Sequence, residues 1–288
     1  MKIVDKFNNN KVVFSLEVFP PKKFTDNIDT VYNTLEQLTD INPDYISVTY
    51  SAGGGGNGKY TGRIASIIKN MHNVEPVAHL TCLTNTKEEI DLAIESFKSA
   101  GVENILALRG DHNPEIAPKN DFLYASDLVS YIKERNPELG ISGACYPEMH
   151  MDSENEIQDI LNLKKKVDAG ADFLVSQLFF DNEAFYSFVE KARIAGINVP
   201  IQAGIMPVTN CKQIERMVSM CGASLPRKFS MMMQKYGDNP EAMRDAGIAY
   251  AVNQIVDLIA NGVEGIHLYT MNNPYIATKI ARSIKTLL

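Results

Sequence analysis

Eight short β-rich runs, each separated from the next by a longer helical pattern, constrain this chain more than any other feature. They fall at 12–18 (VVFSLEV), 45–49 (YISVT), 76–81 (PVAHLT), 104–108 (NILAL), 141–146 (ISGACY), 173–177 (FLVSQ), 200–204 (PIQAG) and 265–270 (GIHLYT). Several of the helical patterns end on a small residue or Asn followed by Gly and an apolar residue, at Ala100-Gly101-Val102, Ala169-Gly170-Ala171, Ala195-Gly196-Ile197 and Asn261-Gly262-Val263. Glycine after the last turn supplies the left-handed residue that lets the chain turn back into a strand.

Strand, helix, Gly turn and strand again, repeated without hairpins, predicts parallel βα units. Eight of them predict an α/β fold closed as a (β/α)8 TIM barrel. The competing architecture, an open doubly wound sheet, lacks its GxGxxG signal in the first βα turn. Helical patterns near 209–220, 226–236 and 239–261 lengthen the stretch after strand seven and predict an extra helix there; 275–288 reads as the closing helix. The 288 residues carry no Pro/Ser-rich linker and no composition shift, which fits one domain over 1–288.

Charge and apolar content exclude some partners. A formal net charge of −7, from 28 Lys+Arg against 35 Asp+Glu, repels a phosphate backbone, so nucleic acid is not expected. No apolar run approaches the length of a membrane span and the start has no long apolar stretch, so neither a membrane partner nor export is expected and a cytoplasmic location follows. Cys82, Cys145, Cys211 and Cys221 are widely spaced, without CxxC or zinc-ligand spacing; they read as reduced structural thiols, and no metal is expected.

Barrel chemistry sits at the C-terminal ends of the strands, and polar residues are plentiful there. Glu17 stands between Leu16 and Val18, ahead of Phe19-Pro20-Pro21. Apolar surroundings favour the protonated carboxyl that a general acid needs, although a carboxylate facing solvent at the rim fits equally well. Arg109-Gly110-Asp111 brings an Arg–Asp pair to the end of strand four, or an ordinary turn with a surface ion pair. His79 on strand three is, alone, a satisfied core histidine. The Tyr146-Pro147-Glu148-Met149-His150 turn and Gln177 add hydrogen-bonding groups. After strand five, Asp159, Asn162 and Lys166 share one helix face, while Ile160, Leu163 and Val167 share another. The polar face is either solvated or turned to a ligand, with Lys166 on a phosphate and Asp159 and Asn162 on sugar hydroxyls. The run Gly53-Gly54-Gly55-Gly56 lacks the Lys-Ser/Thr of a P-loop and reads as a flexible loop.

Taken together, Leu16-Glu17-Val18-Phe19-Pro20-Pro21, Ser47-Val48-Thr49-Tyr50, Ala78-His79-Leu80-Thr81-Cys82, Ala107-Leu108-Arg109-Gly110-Asp111 and Tyr124-Ala125-Ser126-Asp127-Leu128 resemble the methylenetetrahydrofolate reductase family. The resemblance runs on through Tyr146 to His150, Asn162 to Asp172, Gln177-Leu178-Phe179-Phe180-Asp181, Gly204-Ile205-Met206-Pro207-Val208 and His267-Leu268-Tyr269-Thr270, almost the whole chain.

It implies FAD held across the barrel mouth without a Rossmann module. Thr49, Tyr50, Ala52, His79, Arg109, Gly110, Asp111, Tyr124, Ala125, Tyr146, His150, Asp159, Asn162, Lys165 and Lys166 match positions around the flavin and its phosphates. Gln177, Gln213 and Tyr269 belong to the implied substrate site, with Gln177 meeting both nicotinamide and folate. The implied reaction takes methylenetetrahydrofolate and NADH or NADPH in turn, feeding methionine synthesis or one-carbon metabolism. Opening the folate ring requires protonation of its leaving nitrogen, which makes Glu17 the candidate acid; the resulting cation would be favoured by Asp111 nearby.

Two positions depart from the family pattern. Met217 stands where relatives commonly carry a Phe over the bound nicotinamide or folate, and Asn273 where an Arg often follows Tyr-Thr-Leu-Asn. The resemblance thus leaves room for an electron-transfer partner protein in place of free NADH, with the chain as the FAD subunit of a larger complex. A flavin-free pterin-binding one-carbon transferase is the other alternative. A homo-oligomer is expected of this class of barrel, and the chain has no room for the regulatory domain that eukaryotic members carry.

Overall fold

The computed structural model describes residues 1–9, 11–21, 29–50, 58–112, 116–211, 214, 217–218 and 221–288. Eight parallel strands close on themselves in sequence order: β1 (Val13–Val18), β2 (Tyr45–Val48), β3 (Glu75–Thr81), β4 (Asn104–Leu108), β5 (Gly140–Cys145), β6 (Phe173–Ser176), β7 (Ile201–Ile205) and β8 (Gly265–Tyr269). β1 closes the ring, with Glu17 registered against Ser47 of β2 on one side and Tyr269 of β8 on the other.

The described helices are α1 (Asp29–Thr39), α2 (Gly58–Asn70), α3 (Lys87–Ser99), α4 (Ala125–Arg135), α5 (Glu156–Asp168), α6 (Asn182–Ile194), α7 (Arg227–Tyr236), α8 (Pro240–Ala260) and α9 (Pro274–Ile284). Two of them, α7 and α8, stand between β7 and β8, so the barrel carries its extra helix where the sequence predicts one. Half of the predicted helix near 209–220 lies outside the described residues.

Local signals explain the elements. In α3, Thr86 and Glu89 form a capping box, Ile90, Ile94 and Phe97 fall on one buried stripe, and Gly101 follows the last turn at φ +80°. Gly170, Gly196 and Gly262 repeat that left-handed exit.

Alternation along each strand divides two cores. Leu16, Val18, Ile46, Val48 and Leu80 face outward onto the helices, where Leu35, Ile64, Ile68, Ile94 and Phe97 meet them. Inward, the lower barrel is apolar: Val13, Tyr45, Val77, Leu106 and Phe173 pack with Ile3 of the 3-10 segment Ile3–Asn9, and Phe7 lays its ring 5.4 Å from that of Phe173. Each such side chain removed from water contributes about 1.5–3 kcal/mol. Above this plug the interior is polar. No described helix is long and apolar enough to cross a membrane.

Candidate active site

Glu17 faces inward because β1 alternates Ser15 and Glu17 with Phe14, Leu16 and Val18. It is 6% exposed, which decides against a solvent-facing rim carboxylate. Nε2 of His79, from β3 across the barrel, lies 3.5 Å from Glu17 Oε2, and Nε2 of His267, from neighbouring β8, lies 3.5 Å from the same oxygen. Thr270 Oγ1 donates to the Glu17 carbonyl at 2.6 Å, and the Asn272 amide brackets the backbone of Phe19. The strand that carries the carboxyl is therefore held at both its end and its register.

His79 is accordingly more than a core filler. Burial pushes its imidazole down to about 4, against the attraction of Glu17, so the ring is neutral at neutral pH. Sequence reasoning missed His267, Ser15, Ser47 and Gln202, all buried and all pointing inward. Their signal was available in period-two alternation along β1, β2, β7 and β8, once those strands are curled around one axis.

At the adjoining rim Tyr269 donates to the Ser176 carbonyl at 2.7 Å. Only glycine fits opposite: a Cβ on Gly204 would fall 2.2 Å from that carbonyl oxygen and 2.8 Å from the Tyr269 hydroxyl. Gln177, next to Ser176, is half-buried and accepts the Leu178 N–H on Oε1 at 2.8 Å. Burial holds the Tyr269 and Tyr146 phenols well above their ordinary range, the carboxylates of Glu17 and Asp111 respectively adding to the shift.

A separate cavity of about 430 Å³ opens at the ends of β4 and β5 against α4 and α5. Its lining includes Arg109, Tyr124, Ala125, Tyr146, His150, Asp159, Asn162, Lys165 and Lys166, nine of the residues read as cofactor-binding. The polar face of α5 is turned to this cavity together with the buried Leu163, while Ile160 is buried away from it. Lys166 donates to the Ala144 carbonyl at 2.5 Å, and burial pulls its ammonium below the usual lysine range. Asp159 is tied to Ser153 Oγ at 2.7 Å and the Tyr146 ring meets His150 edge-on at 4.5 Å.

The expected Arg109–Asp111 pair is corrected. Arg109 bonds Asp152 at 2.6 Å, and Asp111 is exposed. Gly110, at φ +89°, breaks the pleat that would bring residues two apart to one side. Thr49 and Tyr50 follow β2, half-buried, outside the lining of this cavity. Ala52, the Gly53–Gly56 run and Gln213 lie outside the described residues. Met217 and Asn273 line a second cavity, of about 200 Å³, together with Tyr269. Asn273 also caps α9, its Oδ1 accepting the Ile276 N–H at 3.3 Å.

These features define a TIM barrel whose polar groups gather where its strands end, the arrangement that barrel enzymes use to hold ligands. The chain belongs to the methylenetetrahydrofolate reductase family, whose model matches residues 2–285. It is 38% identical to methylenetetrahydrofolate reductase (NADH) 1 of Arabidopsis thaliana, over 94% of this chain and 49% of that one. It is 34% identical to 5,10-methylenetetrahydrofolate reductase of Escherichia coli, over 94% of this chain and 90% of that one. The chain thus spans about half the length of the plant relatives it matches and most of the bacterial one.

Among solved structures, an uncharacterized protein from Clostridium thermocellum that binds two copies of 5-methyl-5,6,7,8-tetrahydrofolic acid matches with a TM-score of 0.71. The identity is 16%, over 99% of this chain and 100% of that one. A dihydropteroate synthase from Coxiella burnetii matches with a TM-score of 0.54 at 10% identity, over 96% and 94% of the two chains. Both likenesses concern the fold.

Proposed function

We propose that the chain reduces 5,10-methylenetetrahydrofolate to 5-methyltetrahydrofolate with electrons from NADH or NADPH, through FAD bound at the barrel mouth, and that 1–288 acts as one catalytic domain. The observation that carries this reading is a buried, imidazole-flanked carboxyl, Glu17, in a family barrel that also has a cation-lined cavity at its mouth.

The residues present fit the cofactor. The cavity lies within the roughly 300–1,000 Å³ range of ligand pockets. Arg109, Lys165 and Lys166 supply cations for phosphates, Asp159 and Asn162 suit sugar hydroxyls, and Tyr124 offers a ring, 61% exposed, for stacking. Flavin bound there supplies a store for two electrons between the two substrates.

The chain supplies the proton and the positioning. Glu17 protonates the leaving nitrogen of the folate ring, and the barrel wall around it keeps water from that carboxyl. Asp111 offers negative charge where the folate cation develops, while Gln177 and Tyr269 hold substrate. The relatives are named reductases, which favours this reading over a flavin-free transferase.

The test is spectroscopic. Purified protein should show a flavin spectrum, bleached anaerobically by NADH or NADPH and restored by methylenetetrahydrofolate or menadione. Protein that stays colourless after reconstitution with FAD would overturn the proposal. Flavin that neither nicotinamide can bleach would move the electron source to a partner protein.

A further inference from the structure

We propose that His267 is a positioning residue for Glu17: as the Nε2–H tautomer it donates to Oε2, so that the acid carries its transferable proton on Oε1. This rests on the reductase reading given above. The chain of contacts begins deep in the barrel, at the carbonyl of Val13, which can only accept. Gln202 Nε2 lies 3.1 Å from it, so the amide N–H₂ must face that way, and the Tyr45 hydroxyl donates to Gln202 Oε1 from the other side.

The second Gln202 N–H goes to Ser15 Oγ at 3.2 Å. Ser15 then has one hydrogen and one lone pair left, and besides its contact with the Tyr45 hydroxyl two acceptors are open to it. Its hydrogen can go to His267 Nδ1 at 2.7 Å or to the Ile266 carbonyl at 3.4 Å. A separation of 2.7 Å is that of an O–H donor rather than an N–H donor, so the Ser15 hydroxyl donates to Nδ1 and the ring's proton sits on Nε2. That nitrogen lies 3.5 Å from Glu17 Oε2 and 3.5 Å from Ser47 Oγ.

The ring cannot turn away from this task. Tyr45 stacks beneath it with centroids 6.0 Å apart at 22°, and Tyr269 meets it edge-on at 5.3 Å and 89°. Among the described residues, the titratable groups facing Glu17 are Tyr45 from β2, His79 from β3, and His267 and Tyr269 from β8. Both histidines approach Oε2, leaving Oε1 as the oxygen without an imidazole neighbour. When Glu17 releases its proton from Oε1, the carboxylate charge grows on Oε2 in front of a donor already in place. Such an interaction is stronger after the transfer than before it, and therefore favours the transfer.

The experiment combines ¹⁵N spectra of the histidine rings with single-turnover kinetics of the holoenzyme. Wild type should show His267 neutral and protonated on Nε2, and Ser15→Ala should weaken that assignment. In His267→Phe the loss of rate in the folate half-reaction should exceed the loss in the NADH half-reaction by about tenfold, with the folate profile moved to higher pH. His267→Gln, whose amide N–H stands near Nε2, should recover most of that loss.

A ring protonated on Nδ1, or Phe and Gln variants that behave alike, would overturn the proposal. If His267→Phe does not fold, Ser15→Ala decides by the same two readouts, an unchanged ring spectrum and unchanged folate rate counting against it. Wild type that never reoxidises with methylenetetrahydrofolate defeats the reductase reading instead, and the ring spectra still judge the contact chain.

Discussion

Nε2 of His79 lies 3.5 Å from Oε2 of Glu17, both side chains buried in the barrel interior and contributed by strands that are not neighbours. Burial keeps the imidazole at about 4, whereas the unfolded chain restores its ordinary 6.5. Between those values the unfolded state takes up a proton that the folded state refuses. The stability contributed by the neutral ring is full above pH 6.5 and is lost as pH falls toward 4. His79→Asn should flatten the decline of melting temperature across that window, and an equally steep decline in both proteins would count against the assignment.

Glu17→Gln keeps the size and shape of the side chain but removes the proton. The variant should retain flavin and reduction by NADH while its folate-dependent reoxidation slows by about 10²–10⁴-fold, the usual contribution of a positioned acid. Rapid mixing measures each half-reaction separately, and equal losses in both would refute the role.

Lys166→Met tests the cavity. The ammonium has a single described acceptor, the Ala144 carbonyl, and the aliphatic stem packs against Gly143, where a Cβ would meet Lys166 Cδ at 2.6 Å. A charge-assisted bond to phosphate is worth about 1.5–3 kcal/mol, so flavin affinity should fall about 10- to 150-fold. Flavin fluorescence titration reads the change. Because Met preserves the stem and removes a poorly solvated charge, the flavin-free protein should be no less stable.

Gly247→Ala sets two effects against each other. In an exposed helix the substitution gains about 1 kcal/mol of helix propensity. Here a Cβ would stand 1.6 Å from the Val208 carbonyl oxygen, where only movement of α8 from the β7 rim makes room. Overpacking of that kind typically costs about 1–3 kcal/mol, and backbone overlap this close belongs at the upper end. Net destabilisation is expected in chemical denaturation, and a rise in stability would show that α8 is free to shift.

The class of fold was legible in one dimension. Eight β-rich runs and the glycines at 101, 170, 196 and 262 fix where strands start and helices stop, because hydrophobic period and left-handed backbone are properties of a few adjacent residues. The α5 face was legible for the same reason: Asp159, Asn162 and Lys166 lie within two turns. Arg109 was misread. Its partner, Asp152, is 43 positions away, and Gly110 turns the neighbouring Asp111 aside.

By itself, then, the sequence determined the barrel, the family and Glu17 as a carboxyl inside an apolar strand. Only the closed tertiary structure decided what surrounds that carboxyl. Ser15, Glu17, His79, Gln202 and His267 come from four strands separated by up to 252 positions, and no local pattern couples them. Closure does, because every inward side chain of a narrow barrel must share one interior, where a polar group excluded from water has to find its partner in another strand.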